Sequence, residues 1–180
     1  TTSKGCFDAG HLVVATDANA ARRLLPDFNL PEPRWKSTVC LQYAADRPPF
    51  RRPIIALKGD RLGAINNVCV SSNLASCNAS RGKALVCVSV LGSPESGPSL
   101  EAKVQADLLD WFGEDARQWQ LLRMEAIPRA LPVSTPGNPV ETGCQQSGPR
   151  FLCGDHTTSG SIEGAIISGL RVANAIITSA

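Results

Sequence analysis

Short apolar runs with strand-like alternation dominate the first half of the chain. Between residues 37 and 91 the runs are separated by turn residues, with no helical spacing between them: Ser37–Ala44, Pro53–Leu57, Ile65–Val70 and Ala84–Leu91. Runs of this length, rich in β-branched residues, predict strands. Strands joined by turns alone predict an antiparallel sheet. The run at Ala84–Leu91 is continuously apolar, so we expect it to be a central strand.

Helical spacing appears after this block. The segment Leu100–Phe112 carries an apolar face formed by Leu100, Val104, Leu108, Trp111 and Phe112. This spacing predicts a helix, with Ser99 as its N-cap and Gly113 as its end. A second short helix is expected over Ala116–Leu122, and a strand over Arg123–Ile127. Residues 133–149, rich in Pro, Gly and Ser, are expected to form a loop.

Two further segments combine a buried strand with a helix. The first has a strand at His11–Ala15 and a helix at Ala18–Leu25, with Thr16 or Asp17 as the cap. The second begins with the apolar run Phe151–Cys153, which Gly154 and Asp155 interrupt before a small polar loop. A helix then begins near Ile162, and three- and four-residue spacing predicts its apolar face as Ile162, Ala165, Ile166, Gly169, Ala173 and Ile176–Ile177.

Composition excludes several functions. The 180 residues are 43% hydrophobic and 19% charged, as in an ordinary globular domain or the larger part of one. A net charge of +2 is too small to predict a nucleic-acid or membrane surface. No apolar run approaches the roughly 20 residues of a membrane helix, and no signal peptide is recognisable.

The seven cysteines are odd in number and include no C-x-x-C pair, which disfavours a zinc site or a disulfide framework. We expect them to be reduced thiols, and we predict no metal site. The only histidines are His11 and His156. The second adjoins the strand–loop–helix, where it is either a proton donor or an ordinary polar loop residue.

The segment from Gly154 to Ala173 has a Gly-Asp pair, a Ser/Thr/Gly loop and S-I-E-G-A-I-x-S-G-x-x-x-A. It resembles the last FAD-contacting segment of the flavin-dependent amine oxidase superfamily, which includes amine oxidases, protoporphyrinogen oxidase and phytoene-desaturase-like enzymes. Two weaker resemblances follow the family order. Residues 13–26 resemble the re-entry into the FAD domain, and residues 119–132 resemble the return from the substrate domain.

The resemblance implies a mixed α/β fold, the C-terminal part of a two-domain FAD-binding flavoprotein. Its parts would be the FAD-domain re-entry strand and helix (1–30), an antiparallel-rich substrate-domain sheet and helix (31–132), and a linker with the closing FAD-binding strand–loop–helix (133–180). The sequence contains no G-x-G-x-x-G after a strand, which is the fingerprint of the pyrophosphate site. The resemblance therefore covers only the C-terminal part of such an enzyme.

The resemblance also implies cofactor-binding residues. Asp155, after Gly154, would accept hydrogen bonds from the ribityl chain of FAD; the alternative is an Asp that caps a turn. Gly160 and Ser161 precede the helix, and the amide of Ile162 would face the flavin pyrimidine edge. The alternative there is an ordinary helix start. Gly164 and Gly169 are expected to let the helix pack closely on neighbouring backbone.

One departure from the family narrows the substrate. Many amine oxidases have a Tyr where Ser161 stands, as one wall of an aromatic cage, and Tyr43 is the only tyrosine in the chain. This difference favours the desaturase-like or uncharacterised branches over enzymes that oxidise simple amines.

The predicted function is an FAD-dependent oxidoreductase that acts on an organic small molecule, completed by the N-terminal half of the enzyme or by other subunits. No catalytic residue is identified. The alternative is a non-catalytic, flavoenzyme-derived structural subunit of a larger complex. The resemblance to desaturase-like enzymes favours an intracellular, organellar location, in a plastid or mitochondrion.

Overall fold

The computed structural model describes residues 3–59, 62–92, 97–133 and 144–179. The chain divides into two compact units: a terminal unit, Thr1–Trp35 with Leu131–Ala180, and a central unit, Lys36–Ala130. Whether these units correspond to the predicted FAD-domain and substrate-domain segments stays a prediction. None of the helices in the described part of the chain combines the length and apolar character of a membrane span.

The central unit is built on a five-stranded sheet with the order β3-β4-β5-β2-β6. Its strands are β2 (Trp35–Ala45), β3 (Ile55–Leu57), β4 (Asn67–Val70), β5 (Ala84–Leu91) and β6 (Gln120–Pro132). The pairs β2–β5, β3–β4 and β4–β5 are antiparallel. The antiparallel sheet and the central position of β5 are thus as the sequence predicts.

Strict alternation in β2 and β5 directs one face of this sheet into the core. Val39, Leu41 and Tyr43 are buried on β2, and Val86 and Val88 on β5. Helix α3 (Pro98–Phe112) covers this face with residues four apart, Leu100, Val104 and Leu108, which are all buried. Each such side chain contributes about 1.5–3 kcal/mol through removal from water.

Two details of the central unit differ from expectation. Helix α3 begins at Pro98 with Gly97 as its N-cap, so Ser99 lies inside the first turn and is not the cap. Proline suits this first position because it has no N–H and its φ is already helical. The expected helix over Ala116–Leu122 is a 3₁₀ turn at Glu114–Gln118, after which β6 begins.

A four-residue helix, α2 (Ser71–Leu74), connects β4 with a 3₁₀ turn.

The terminal unit contains a three-stranded sheet with the order β1-β8-β7. Strand β1 (Leu12–Val14) pairs in parallel with β8 (Arg150–Leu152), and β7 (Gln145–Ser147) pairs antiparallel with β8. Strand β7 lies within the expected loop, whose residues 134–143 are outside the described part. A polar Gln-Gln-Ser run carries no strand pattern of its own, so only its pairing with β8 makes it a strand.

Helix α1 (Ala18–Leu24) follows β1 and is capped as predicted. The Oδ1 atom of Asp17 accepts hydrogen bonds from the N–H groups of Asn19 at 2.8 Å and Ala20 at 3.1 Å. A 3₁₀ turn at Pro26–Phe28 ends the segment. This cap satisfies two of the backbone N–H groups that a helix leaves unpaired in its first turn.

Helix α4 (Ile162–Ser179) forms where predicted, but its buried face differs from the expected one. Ile162 and Ile166 are 84% and 59% exposed. The buried line consists of Gly164, Ser168 and Val172, spaced by four residues. Small side chains there allow a close approach to the neighbouring loop, which the larger isoleucines would prevent. The apolar positions that predicted the helix are therefore mostly exposed in the described part of the chain, although Ile176 packs against the small cluster of Phe151, Cys153 and Val172.

Candidate functional site

The carboxyl ends of two parallel strands meet in the terminal unit. Strand β1 ends before Thr16 and Asp17, and β8 ends before Gly154 and Asp155. The pairing extends one residue past the strands, since the N–H of Cys153 donates to the carbonyl of Val14 at 3.0 Å. Ligands of α/β proteins bind at this edge, beyond the carboxyl ends of the strands.

Gly154 can only be a glycine in this structure. Its φ of +151° lies in a region that side chains disfavour. A Cβ here would also lie 2.5 Å from Cε1 of His156 and 3.5 Å from the carbonyl oxygen of Thr16. The missing side chain therefore leaves room for the imidazole ring against the backbone of both strand ends.

A 3₁₀ turn over Asp155–Thr157 fixes the residues that follow. The hydroxyl of Thr157 donates to the carbonyl of Gly154 at 2.8 Å, and the Thr157 N–H donates to the same oxygen at 3.1 Å. The turn leaves the Asp155 side chain 32% exposed, with one carboxylate oxygen 3.8 Å from Nδ1 of His156. Asp155 thus remains available as an acceptor at the strand edge.

His156 is a nearly buried side chain that has no hydrogen-bond partner among the described residues, although the Asp155 carboxylate lies close to its Nδ1. Its ring is 10% exposed, and neither Nδ1 nor Nε2 has a hydrogen bond. Burial lowers the pKa of this histidine below its ordinary value, although the nearby carboxylates of Asp155 and Asp17 oppose the shift. At neutral pH the ring is therefore uncharged, with one nitrogen a donor and the other an acceptor.

The first turn of α4 presents backbone donors. Ser161 is its N-cap, because Ser161 Oγ accepts a hydrogen bond from the Gly164 N–H at 2.9 Å. The same oxygen lies 2.9 Å from Oγ of Ser159. Among the described residues the N–H groups of Ile162 and Glu163 have no acceptor. Two free donors at the positive end of a helix dipole favour an electron-rich ligand.

Glycines also permit the close approach of the loop before α4. A Cβ at Gly160 would lie 3.0 Å from Cγ of Pro132. A Cβ at Gly164 would overlap the carbonyl oxygen of Ser159. The packing role predicted for Gly164 is confirmed. The same role for Gly169 is wrong, since a Cβ there would meet no atom within 4 Å.

Ser168 connects the two halves of the site and was not identified from the sequence. It is 3% exposed, and its hydroxyl accepts from the N–H of Gly154 at 2.9 Å while donating to the carbonyl of Ala165 at 2.8 Å. This bond ties α4 to the end of β8. The four-residue spacing from Gly164 to Ser168 to Val172 was the available signal, but the isoleucines obscured it.

A cavity of about 350 Å³ adjoins this edge within the terminal unit. More than half of its wall is apolar, with Leu30, Leu152 and three prolines among its residues, and the charged residues Glu32 and Arg34 also line it. His156 and Gln145 also line it, and Oε1 of Gln145 is buried without a hydrogen bond. A mostly apolar wall with a few unsatisfied polar atoms is typical of a small-molecule site.

Three other sequence expectations concern different parts of the molecule. Tyr43 lies in the core of the central unit, where burial raises its pKa to about 12. All seven cysteines are free thiols. In the described ranges, no group of three or more His, Cys, Asp or Glu side chains is placed to hold a metal ion.

Comparisons with known proteins bear on the family and on the fold. The profile of the family described as flavin containing amine oxidoreductase matches residues 1–177. A search of curated proteins finds no significant match.

Solved structures show the same fold at low sequence identity. An oxidoreductase from Methanosarcina mazei superposes with a TM-score of 0.67 and 19% identity, over 96% of this chain and 44% of that one. A Pyrococcus furiosus protein gives 0.51 and 17%, over 82% and 33%. Putrescine oxidase bound to putrescine gives 0.57 and 14%, over 78% and 35%.

The chain thus spans less than half the length of these proteins. Their fold confirms the predicted mixed α/β class with an antiparallel sheet. The profile match, which covers nearly the whole chain, shows that this chain belongs to the flavin containing amine oxidoreductase family.

Proposed function

We propose that the chain is the C-terminal segment of an FAD-dependent oxidoreductase and that the carboxyl edge of β1 and β8 holds part of the FAD. One observation carries the proposal: the unpartnered amides of Ile162 and Glu163 occur in the same unit as the Asp155 carboxylate, beside glycines that leave the edge open. Donors and acceptors without protein partners fit a cofactor that offers both.

Each residue has a distinct part in this proposal. The Asp155 carboxylate accepts hydrogen bonds from ribityl hydroxyls. The Ile162 amide, preceded by Gly160 and Ser161, donates to an acceptor atom on the pyrimidine edge of the flavin. The dipole of α4 stabilises negative charge at that edge. Gly154 keeps the approach free of side-chain atoms. Bound flavin supplies the redox chemistry, in which an organic substrate loses two electrons, while the protein orients and shields it.

The substrate we propose is an organic small molecule outside the simple amines. Ser161 cannot form an aromatic wall, and its hydroxyl is already engaged with the Gly164 amide and Ser159. Putrescine oxidase shares the fold at 14% identity, which is too low to transfer its substrate. The desaturase-like or uncharacterised branches of the family remain the better candidates.

We further propose that the FAD site is completed by the part of the enzyme that carries the G-x-G-x-x-G fingerprint. This sequence lacks the fingerprint, and the related oxidoreductase has more than half of its length without a counterpart here. The isoleucine face of α4, exposed at Ile162, Ile166 and Ile177, is the surface we expect that part to cover. Exposed apolar faces of this kind normally lie in an interface.

The missing fingerprint also favours a second candidate function. The chain could belong to a non-catalytic, flavoenzyme-derived subunit of a larger complex. A flavin absorption band in the complex purified from its source supports the enzyme. Its absence, together with a degenerate or missing fingerprint upstream, supports the structural subunit.

Calorimetric titration of the 180-residue chain with FAD tests the proposal. We expect binding weaker than micromolar, because the pyrophosphate site is missing, and a further loss in Asp155→Asn. The matched control Asp115→Asn removes an exposed carboxylate of the central unit and should change nothing. Stoichiometric sub-micromolar binding would contradict the fragment proposal, and equal affinity in Asp155→Asn would contradict the assigned role.

A further inference from the structure

Several polar atoms of the terminal unit are buried without a hydrogen-bond partner among the described residues, and they belong to Trp35, Gln145, His156 and Thr158. Both ring nitrogens of His156 and Oε1 of Gln145 are without partners, and both residues line the 350 Å³ cavity. The core of a stable protein rarely leaves such atoms unsatisfied unless a ligand or water meets them. Neither residue is among those that carry the proposed function, although Nδ1 of His156 lies 3.8 Å from the carboxylate of Asp155.

The sheet places these two residues at the same edge. Gln145 begins β7 and lies opposite Leu152, the last residue of β8. His156 follows the same strand end by four residues and packs over Gly154, which has no side chain. Because β7 runs antiparallel to β8, its first residue stands where β8 ends. Gln145, at the start of β7, and His156, in the turn after β8, therefore both lie at the carboxyl edge of the sheet.

Glu32 and Arg34 give the cavity one charged group of each sign, so the three unsatisfied atoms are what restricts the ligand. A neutral imidazole offers one donor and one acceptor, and the Gln145 oxygen offers a second acceptor. A carboxylate or phosphate only accepts, so it would leave the Gln145 oxygen unmet. An ammonium group only donates, so it would leave the imidazole N–H unmet. Hydroxyl groups both donate and accept, and a chain with several hydroxyls can satisfy all three atoms.

We propose that His156 and Gln145 bind a polyhydroxyl chain, and that in this protein it is the ribityl chain of the flavin. This inference rests on the proposed function, since that function supplies the cofactor. It adds hydrogen bonds from His156 and Gln145 to the one that the ribityl chain is expected to make with Asp155. Both residues are binding residues and take no part in electron transfer.

The two histidines make the test specific. His11 is exposed, so its ring nitrogens provide an internal reference for those of His156. Imidazole ¹⁵N shifts and the Gln145 side-chain amide are followed by NMR in the 180-residue chain during titration with FMN, which has a ribityl chain and no ribose. Parallel titrations use ADP, which has ribose and no ribityl chain, inorganic phosphate, and ribitol as a free polyol.

We expect FMN to shift the His156 nitrogens and the Gln145 amide saturably and to leave His11 unchanged. ADP and phosphate should have no such effect, and ribitol should act only at far higher concentration. In His156→Phe and in Gln145→Met the dissociation constant for FMN should rise about tenfold, the effect of one lost hydrogen bond. The matched substitution His11→Phe should leave it unchanged.

The outcomes separate the two proposals. If FMN shifts the Asp155 and Ile162 amides but not His156 or Gln145, the inference fails and the proposed function stands. If ADP or phosphate alone reproduces the shifts, the ribityl assignment is wrong. If ribitol binds as well as FMN, the cavity is a free-polyol site and the flavin assignment is wrong. If no flavin shift occurs anywhere, both proposals fail. Circular dichroism of each variant confirms that it is folded.

Discussion

The two units of the chain differ in how completely they satisfy their own side chains. In the central unit one cluster of sixteen buried residues fills the space between the sheet and α3. The described residues of the terminal unit form two small buried clusters, of four and three residues. This unit leaves large isoleucines of α4 exposed, and both ring nitrogens of His156 and Oε1 of Gln145 have no hydrogen-bond partner among the described residues.

We interpret this difference as one between a folding core and the surface that we propose binds the cofactor. A continuous core stabilises the fold by itself, because the apolar surfaces of both packed elements, the sheet and the helix, are removed from water. Small clusters bury less apolar surface and therefore contribute less stability. Beside exposed glycine backbone, polar atoms remain that can form hydrogen bonds with a ligand. The central unit also contains unpartnered polar atoms, at Tyr43 and Trp111, but they adjoin a dense aromatic cluster that holds them in place. The following predictions test the contrast.

The largest effect is expected in the central core. Leu41 is completely buried, so Leu41→Ala should lower the free energy of unfolding by about 2–5 kcal/mol through lost burial and a cavity. The control in the terminal unit, Ile166→Ala, removes a side chain that is 59% exposed and should cost less than about 0.5 kcal/mol. Urea unfolding followed by tryptophan fluorescence and circular dichroism measures both. Equal losses would contradict the contrast.

The next effect concerns two glycines of one helix. In Gly164→Ala the new Cβ overlaps the Ser159 carbonyl, so we expect a loss of about 1–3 kcal/mol. In Gly169→Ala the Cβ enters open space, and the helix should gain about 0.5–1 kcal/mol. Thermal unfolding of the two variants side by side measures the difference. The account is wrong if both shift in the same direction.

A serine pair provides a test of similar size. Ser168→Ala leaves the buried N–H of Gly154 without its acceptor and should cost about 1–3 kcal/mol. Ser99→Ala, at an exposed position inside the first turn of α3, should cost less than about 0.5 kcal/mol. Hydrogen exchange of the Gly154 amide should accelerate in the first variant alone. A large cost at Ser99 would instead restore it as the helix cap.

The smallest effect is a pH dependence. The folded pKa of His156 lies below its ordinary value of 6.5, so below that pH the unfolded chain binds more protons than the folded one. The free energy of unfolding should therefore fall as the pH drops below 6.5 towards the folded pKa. In His156→Gln this part of the dependence should vanish, and in His11→Gln it should persist. Chemical denaturation at a series of pH values gives the slope.

The sequence was most informative where local chemistry decides the structure. The β-branched run of β5 and the carboxylate cap at Asp17 were both predicted, because each depends on residues within one short segment. Strand β7 was missed, since Gln145–Ser147 becomes a strand only through pairing with β8. The buried face of α4 was missed because small residues pack closely against a loop whose position no local pattern encodes.

The candidate site shows the same division. Gly154, Asp155, Gly160, Ser161 and Ile162 were identified through the family resemblance, and their binding roles stay a proposal. The isolation of His156 and Gln145 from hydrogen-bond partners could not be predicted. It depends on the φ of Gly154 and on the hairpin that brings β7 to the strand edge. Burial without a partner is a property of the fold and not of a sequence motif.

The central claim is that the first turn of α4 donates to the flavin. Hydrogen exchange of the Ile162 and Glu163 amides, measured by NMR in the 180-residue chain, tests it most directly. These amides should exchange rapidly in the free protein, because they have no acceptor among the described residues. At an FAD concentration that fills about nine-tenths of the sites, both should slow about tenfold. Unchanged exchange at these two amides, with FAD bound, would contradict the account.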